Sequence, residues 1–143
     1  MQIRSTSLLV ADQEKALQFY ASKLGFTKSQ DVMRGAFRWL SLTSPEGVHG
    51  VELILEPLKF PPARAYQEAL YQAGLPAATF ASVNIDLEVE RLKRSGVEFQ
   101  AEPLDMGLVT TAVFDDTCGN LIRLVQINGR MSGCYPLGME GAD

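Results

Sequence analysis

The chain repeats itself, and that repeat restricts the fold more than any other feature. VADQEKALQFYASKLGF (10–26) is followed by RWLSLTSPEGVHGVELILEP (38–57), and SVNIDLEVERLKRSGVEF (82–99) by TAVFDDTCGNLIRLVQ (111–126). Each half reads as a strand, an acidic turn, an amphipathic helix, a glycine just past the helix, and a run of strands. In the first half Asp12 suits an N-cap, Leu17, Phe19, Tyr20 and Leu24 recur at helical spacing, and Gly25 stops the helix. The second half predicts a helix near 85–95, carrying Leu87, Arg91 and Leu92, with Gly96 as its stop. Strands are expected near 2–11, 25–32, 36–43 and 50–56, then near 78–83, 97–102, 108–115 and 120–127. Asp115–Asn120 reads as a hairpin turn, with Gly119 and Asn120 tolerating positive φ. The expected fold is α+β: two tandem βαβββ modules forming a curved mixed sheet around a cleft.

Module one spans 1–58 and module two 76–128, with a joining segment at 59–75. The prolines of that segment read as linker, and AYQEALYQ as a short helix stopped by Gly74. Residues 129–143 form a Gly-rich tail without periodicity, either a surface arm or poorly ordered.

Composition removes several function classes. A chain of 143 residues makes one ordinary domain, and 46% hydrophobic with 21% charged residues is typical of globular proteins. The net charge is −4 with no block of Lys or Arg, which argues against nucleic acid or an anionic membrane surface as partner. No apolar run approaches the ~18 residues of a span and no basic-then-apolar leader opens the sequence, so the expected location is cytoplasmic. Cys118 and Cys134 read as two free thiols. A catalytic thiol needs a nearby base, and the only histidine, His49, lies in the other half of the chain, where it reads as a surface-loop residue.

Three stretches then carry a resemblance: D-x-x-K-A-L-x-F-Y-x-x-x-L-G-F at Asp12–Phe26, I-D-x-E-V-E-R-L-K-x-x-G-V-E-F at Ile85–Phe99, and F-D-D-T-C-G-N-L-I-R-L-V-Q at Phe114–Gln126. In this order they resemble the vicinal oxygen chelate superfamily, which includes glyoxalase I, extradiol dioxygenases, and the fosfomycin and bleomycin resistance proteins. The resemblance reaches to about residue 127. It implies the fold but no single chemistry, because this fold serves several enzymes and pure binders.

The resemblance also implies where a metal would sit. Members that do chemistry typically draw ligands from the first and last strand of each module, usually His, Gln or Glu. Carried onto this chain, those positions are Ser5, Glu52, Ala77 and Arg123. Only Glu52 is a good ligand, and a guanidinium offers no lone pair and repels a divalent ion. The expectation is no metal and no cofactor. In place of the metal, Glu52 and Arg123 could form a buried ion pair, or Arg123 could anchor a polar or anionic group on a ligand.

Strand alternation supplies the rest of the expected pocket. Ser7 and Leu9 are in phase with Ser5, Ile54 and Glu56 with Glu52, and Leu121 and Val125 with Arg123. If Leu42 and Phe114 face the helices, then Phe37, Trp39 and Ser41 face the cleft, with Val109, Thr111 and Val113. Trp39 reads either as core or as a stacking wall for a planar ligand, whereas Phe19 and Tyr20 read as core. The leading functional expectation is a metal-independent small-molecule binding protein of the bleomycin-resistance type, acting as a homodimer. The alternative is a glyoxalase-like lyase or isomerase, or a dioxygenase-related enzyme, with Glu52 as general base and Arg123 stabilising an oxyanion.

Overall fold

A computed structural model describes residues 1–129. The expected tail, including Cys134, therefore lies outside the described residues apart from Gly129. The elements run β1 (Ser5–Val10), α1 (Gln13–Ser22), β2 (Thr27–Arg34), β3 (Phe37–Thr43), β4 (Glu52–Pro57), α2 (Pro61–Gln72), β5 (Ala78–Ala81), α3 (Ile85–Arg94), β6 (Phe99–Asp105), β7 (Val109–Asp115) and β8 (Leu121–Ile127). The strands divide into two four-stranded mixed sheets, ordered β1-β4-β3-β2 and β5-β8-β7-β6. Each is one module, with its first and last strands parallel and the rest antiparallel.

Both module helices start and stop by the same physics. The Asp12 carboxylate accepts from the Lys15 amide at 3.0 Å, and the Asn84 side-chain oxygen from the Leu87 amide at 3.2 Å, each satisfying an orphan helix donor. At the other end Gly25 and Gly96 take positive φ, which lets the Phe26 amide reach Tyr20 O and the Val97 amide reach Leu92 O. The joining segment differs from expectation. Its prolines stand at the start of α2 rather than in a linker. A proline there loses nothing, because the first-turn N–H groups have no intrahelical partner.

One apolar cluster unites the two modules. Leu8, Val10, Leu40, Leu42 and Leu55 from the first sheet pack with Ala16, Leu17, Phe19 and Tyr20 of α1, and with Phe114, Cys118 and Ile122 of module two. Phe19 stacks on Phe114 with centroids 6.3 Å apart. The β7–β8 turn docks on the end of β1, where the Ala11 amide donates to Cys118 O at 3.0 Å and the Asn120 amide group to Leu9 O at 2.8 Å. Gln67 of α2 seals this junction by donating to Leu9 O at 2.8 Å and Asn120 Oδ1 at 3.1 Å. Within the turn, Thr117 and Gly119 take positive φ; Asn120 does not and uses its side chain as the tie between modules.

Candidate functional site

Pairing registers show which side chains share the face turned away from this core. On the first sheet, Ser5 lies beside Glu52, Ser7 beside Ile54 and Leu9 beside Glu56, while Ile54 lies beside Ser41 on its other flank. Trp39 and Phe37 continue the row along β3, alternating with the buried Leu40 and Leu42, and pair with Val32 and Arg34 of β2. Ser5 and Ser7 are exposed, Phe37, Trp39 and Glu52 half-buried, and Ser41 and Ile54 buried. Trp39 is thus absent from the main apolar cluster, although that was one of its two expected roles.

Glu52 is the centre of a polar cluster on this face. Its Oε1 accepts from the Ser29 hydroxyl and from Ser41 Oγ at 3.4 Å, and Gln30 Nε2 lies 3.5 Å from both carboxylate oxygens. Ser29 and Gln30 escaped sequence reasoning, because strict alternation allows only one of two consecutive residues onto a face. The register slips between Lys28 and Gln30, where β2 carries one extra residue against β3. A bulge of this kind re-aims side chains, and here it brings both neighbours to one carboxylate. Nothing in the sequence marks that bulge. Further along the face, Ser7 Oγ donates to Glu56 Oε1 at 3.3 Å.

On the second sheet, Arg123 lies between Thr79 of β5 and Val113 of β7, and Val125 between Ala81 and Thr111. Val109, Thr111 and Val113 are half-buried, Arg123 is exposed, and Leu121, at the start of β8, is buried. One expectation needs correction. Ala77 is not the cross-strand neighbour of Arg123; its amide donates to Leu121 O, and Thr79 stands beside Arg123 as Ser5 stands beside Glu52. Glu52 and Arg123 form no ion pair within one chain among the described residues. The physical reason is that each belongs to a different sheet, and the two sheets meet through their helix-side core rather than through these faces.

A divalent metal needs several lone-pair donors at one point. The cross-strand positions supply one carboxylate, two hydroxyls and a guanidinium. Among the described residues no three His, Cys, Asp or Glu side chains gather as a metal would require. The donor set does not fit a metal centre, and what it can do is hydrogen-bond and pair charge. Cys118 is buried and free, and desolvation with Asp116 beside it pushes its thiol up to about 11, away from nucleophilic chemistry.

The comparisons with known proteins agree with this architecture. The model of the Glyoxalase/Bleomycin resistance protein/Dioxygenase superfamily matches residues 2–124. The chain is 53% identical over 126 residues to Uncharacterized protein YurT of Bacillus subtilis (strain 168), spanning 88% of this chain and 99% of that protein. The crystal structure of UcmS2 is similar with a TM-score of 0.76 and 28% identity, covering 87% of this chain and 97% of that one. TnmS3, an antibiotic binding protein from Streptomyces sp. CB03234, is similar with a TM-score of 0.70 and 27% identity, covering 90% and 97%. Paired βαβββ modules and a family match over nearly all the described residues lead to one assignment: the chain belongs to the Glyoxalase/Bleomycin resistance protein/Dioxygenase superfamily.

Proposed function

We propose that this chain is a metal-independent small-molecule binding protein of the bleomycin-resistance type. The observation that carries the reading is the outer face of the first sheet. Phe37 and Trp39 offer a half-buried aromatic strip on the same face as Glu52, further along β3, and the Glu52 carboxylate is held by Ser29, Gln30 and Ser41. Aromatic surface with a few oriented polar groups is how small-molecule sites combine affinity with orientation. The likeness to TnmS3 supports the same reading. Ser5 and Ser7 on this face are exposed among the described residues, so we assign the ligand to a cleft between it and the Arg123 face, closed by a second copy in a homodimer. The lyase alternative is less well supported, because donors from Ser29 and Ser41 already occupy Glu52 Oε1, which suits an acceptor for ligand N–H groups better than a proton-abstracting base.

The test is a fluorescence screen of Trp39, the only tryptophan, against planar antibiotics and aromatic metabolites, on protein purified without chelator and assayed for metals. Saturable quenching that survives EDTA, weakened at least tenfold by Glu52→Gln or Arg123→Met, is the expected result. A stoichiometric transition metal, or quenching abolished by EDTA, overturns metal independence.

A further inference from the structure

The two modules meet at two pseudo-equivalent junctions, and only one is sealed. At the first, the β7–β8 turn docks on the end of β1, tied by Ala11, Asn120 and Gln67, with the Tyr20 hydroxyl donating to Asp116 at 2.7 Å. At the second, the Ser44–Gly47 turn between β3 and β4 stands against the end of β5, and no hydrogen bond joins the two among the described residues. Leu92 of α3 occupies the place that Tyr20 holds in α1, equally far beyond its N-cap, so the buried hydroxyl is missing there. Among the described residues Gln67 has no counterpart at this junction, because none of them forms a helix after module two as α2 does after module one. What remains is a cavity of about 650 Å³.

Its walls are Leu24, Phe26, Phe80, Leu92, Phe114 and Leu124. At its mouth stand Val83, 92% exposed, and Leu87, 63% exposed. Most polar groups at the rim are bonded inside the protein, and the Glu46 carboxylate of the Ser44–Gly47 turn stands there as well. Arg91 donates to Lys23 O and to Glu88, Asn84 Oδ1 caps Leu87, and Ser82 Oγ accepts from the Asn84 amide. Close-packed interiors leave few voids larger than a water molecule, and ligand pockets occupy about 300–1,000 Å³. A cavity in this range has aromatic walls, its lining cation Arg91 is paired with Glu88, and the Glu46 carboxylate at the rim disfavours anions, so it selects a neutral apolar molecule.

We propose that this junction is a second binding site, separate from the two outer sheet faces, for a small neutral aromatic or branched apolar molecule. The probe is N-phenyl-1-naphthylamine, neutral and bicyclic, whose fluorescence rises on leaving water. Titrated into the full chain, it should bind saturably, and Leu87→Glu and Val83→Glu should each weaken it at least tenfold. Both positions are exposed, so folding should persist, and circular dichroism checks that. Leu104→Glu, an exposed apolar residue on β6, should change the affinity less than twofold. Three results overturn the proposal: no saturable binding; loss through Leu104→Glu with Leu87→Glu silent; or binding only after truncation behind Gly129, which would make the C-terminal segment the occupant.

Discussion

Asp116 is a carboxyl taken out of water, and its surroundings pull in two directions. Burial raises its pKa, while donors from Tyr20, Asn120 and the Cys118 amide partly oppose the rise. The net shift is upward. The folded state therefore binds its proton more tightly than the unfolded chain does, and stability from this group is greatest below about pH 4 and fades as pH rises through the folded value. The advantage of wild type over Asp116→Asn should shrink between pH 4 and 8, read as urea midpoints; an advantage that grows with pH would contradict the desolvation argument. Tyr20→Phe removes a buried hydrogen bond to the same carboxyl and should cost about 1–3 kcal/mol in urea unfolding. At this scale the sequence was half legible. Phe19 and Tyr20 fall on the expected buried stripe, but nothing in the spacing tells that the Tyr20 hydroxyl meets a carboxyl in the other module.

The elements show how much rests on single turns. Asp12 and Asn84 cap equivalent helices, and the Asp12 cap was readable because the capping chemistry is local. The β7–β8 turn was recognisable as a turn, yet its role as the dock for β1 and Gln67 was not. A Cβ built on Gly119, which has φ +100°, would stand 2.6 Å from Gln67 Oε1. Gln67 is buried and hydrogen-bonded, so it cannot swing clear. Gly119→Ala should therefore destabilise the fold by about 1–3 kcal/mol, and Gly119→Ala combined with Gln67→Ala should recover part of that loss; equal midpoints for Gly119→Ala and wild type would remove the steric argument. The β2 bulge is the opposite case. It carries Ser29 and Gln30 to Glu52 without a sequence signal, because a one-residue slip depends on the partner strand and not on the residues that slip.

For the whole molecule, the arrangement of the two sheets is the decisive fact. They share a core on their helix sides and leave Glu52 and Arg123 on faces that no hydrogen bond or ion pair connects within one chain among the described residues. If a second copy closes the proposed cleft, sedimentation velocity should find a species of twice the 15.7 kDa chain mass. Charge reversal then reports on the pairing. Arg123→Glu should weaken ligand binding, and adding Glu52→Arg should recover at least tenfold, a coupling of about 1.4 kcal/mol. A strictly monomeric protein, or independent effects of the two reversals, would show that these faces do not meet. No helix among the described residues is long and apolar enough to cross a membrane.

The sequence by itself determined the module plan. Helix caps, glycine stops and apolar alternation act over a few residues, and their repetition in the same order specifies two βαβββ units whatever lies between them. That the chain has one histidine, His49, is a matter of composition, whereas Arg123 at a ligand position is what the family resemblance implies. Tertiary structure alone decided which residues stand side by side: Thr79 rather than Ala77 beside Arg123, Ser29 and Gln30 on Glu52, and Tyr20 on Asp116. Those relations depend on register and on how one module packs against the other. Such long-range choices leave no period in the sequence, because they are set by fitting two surfaces together.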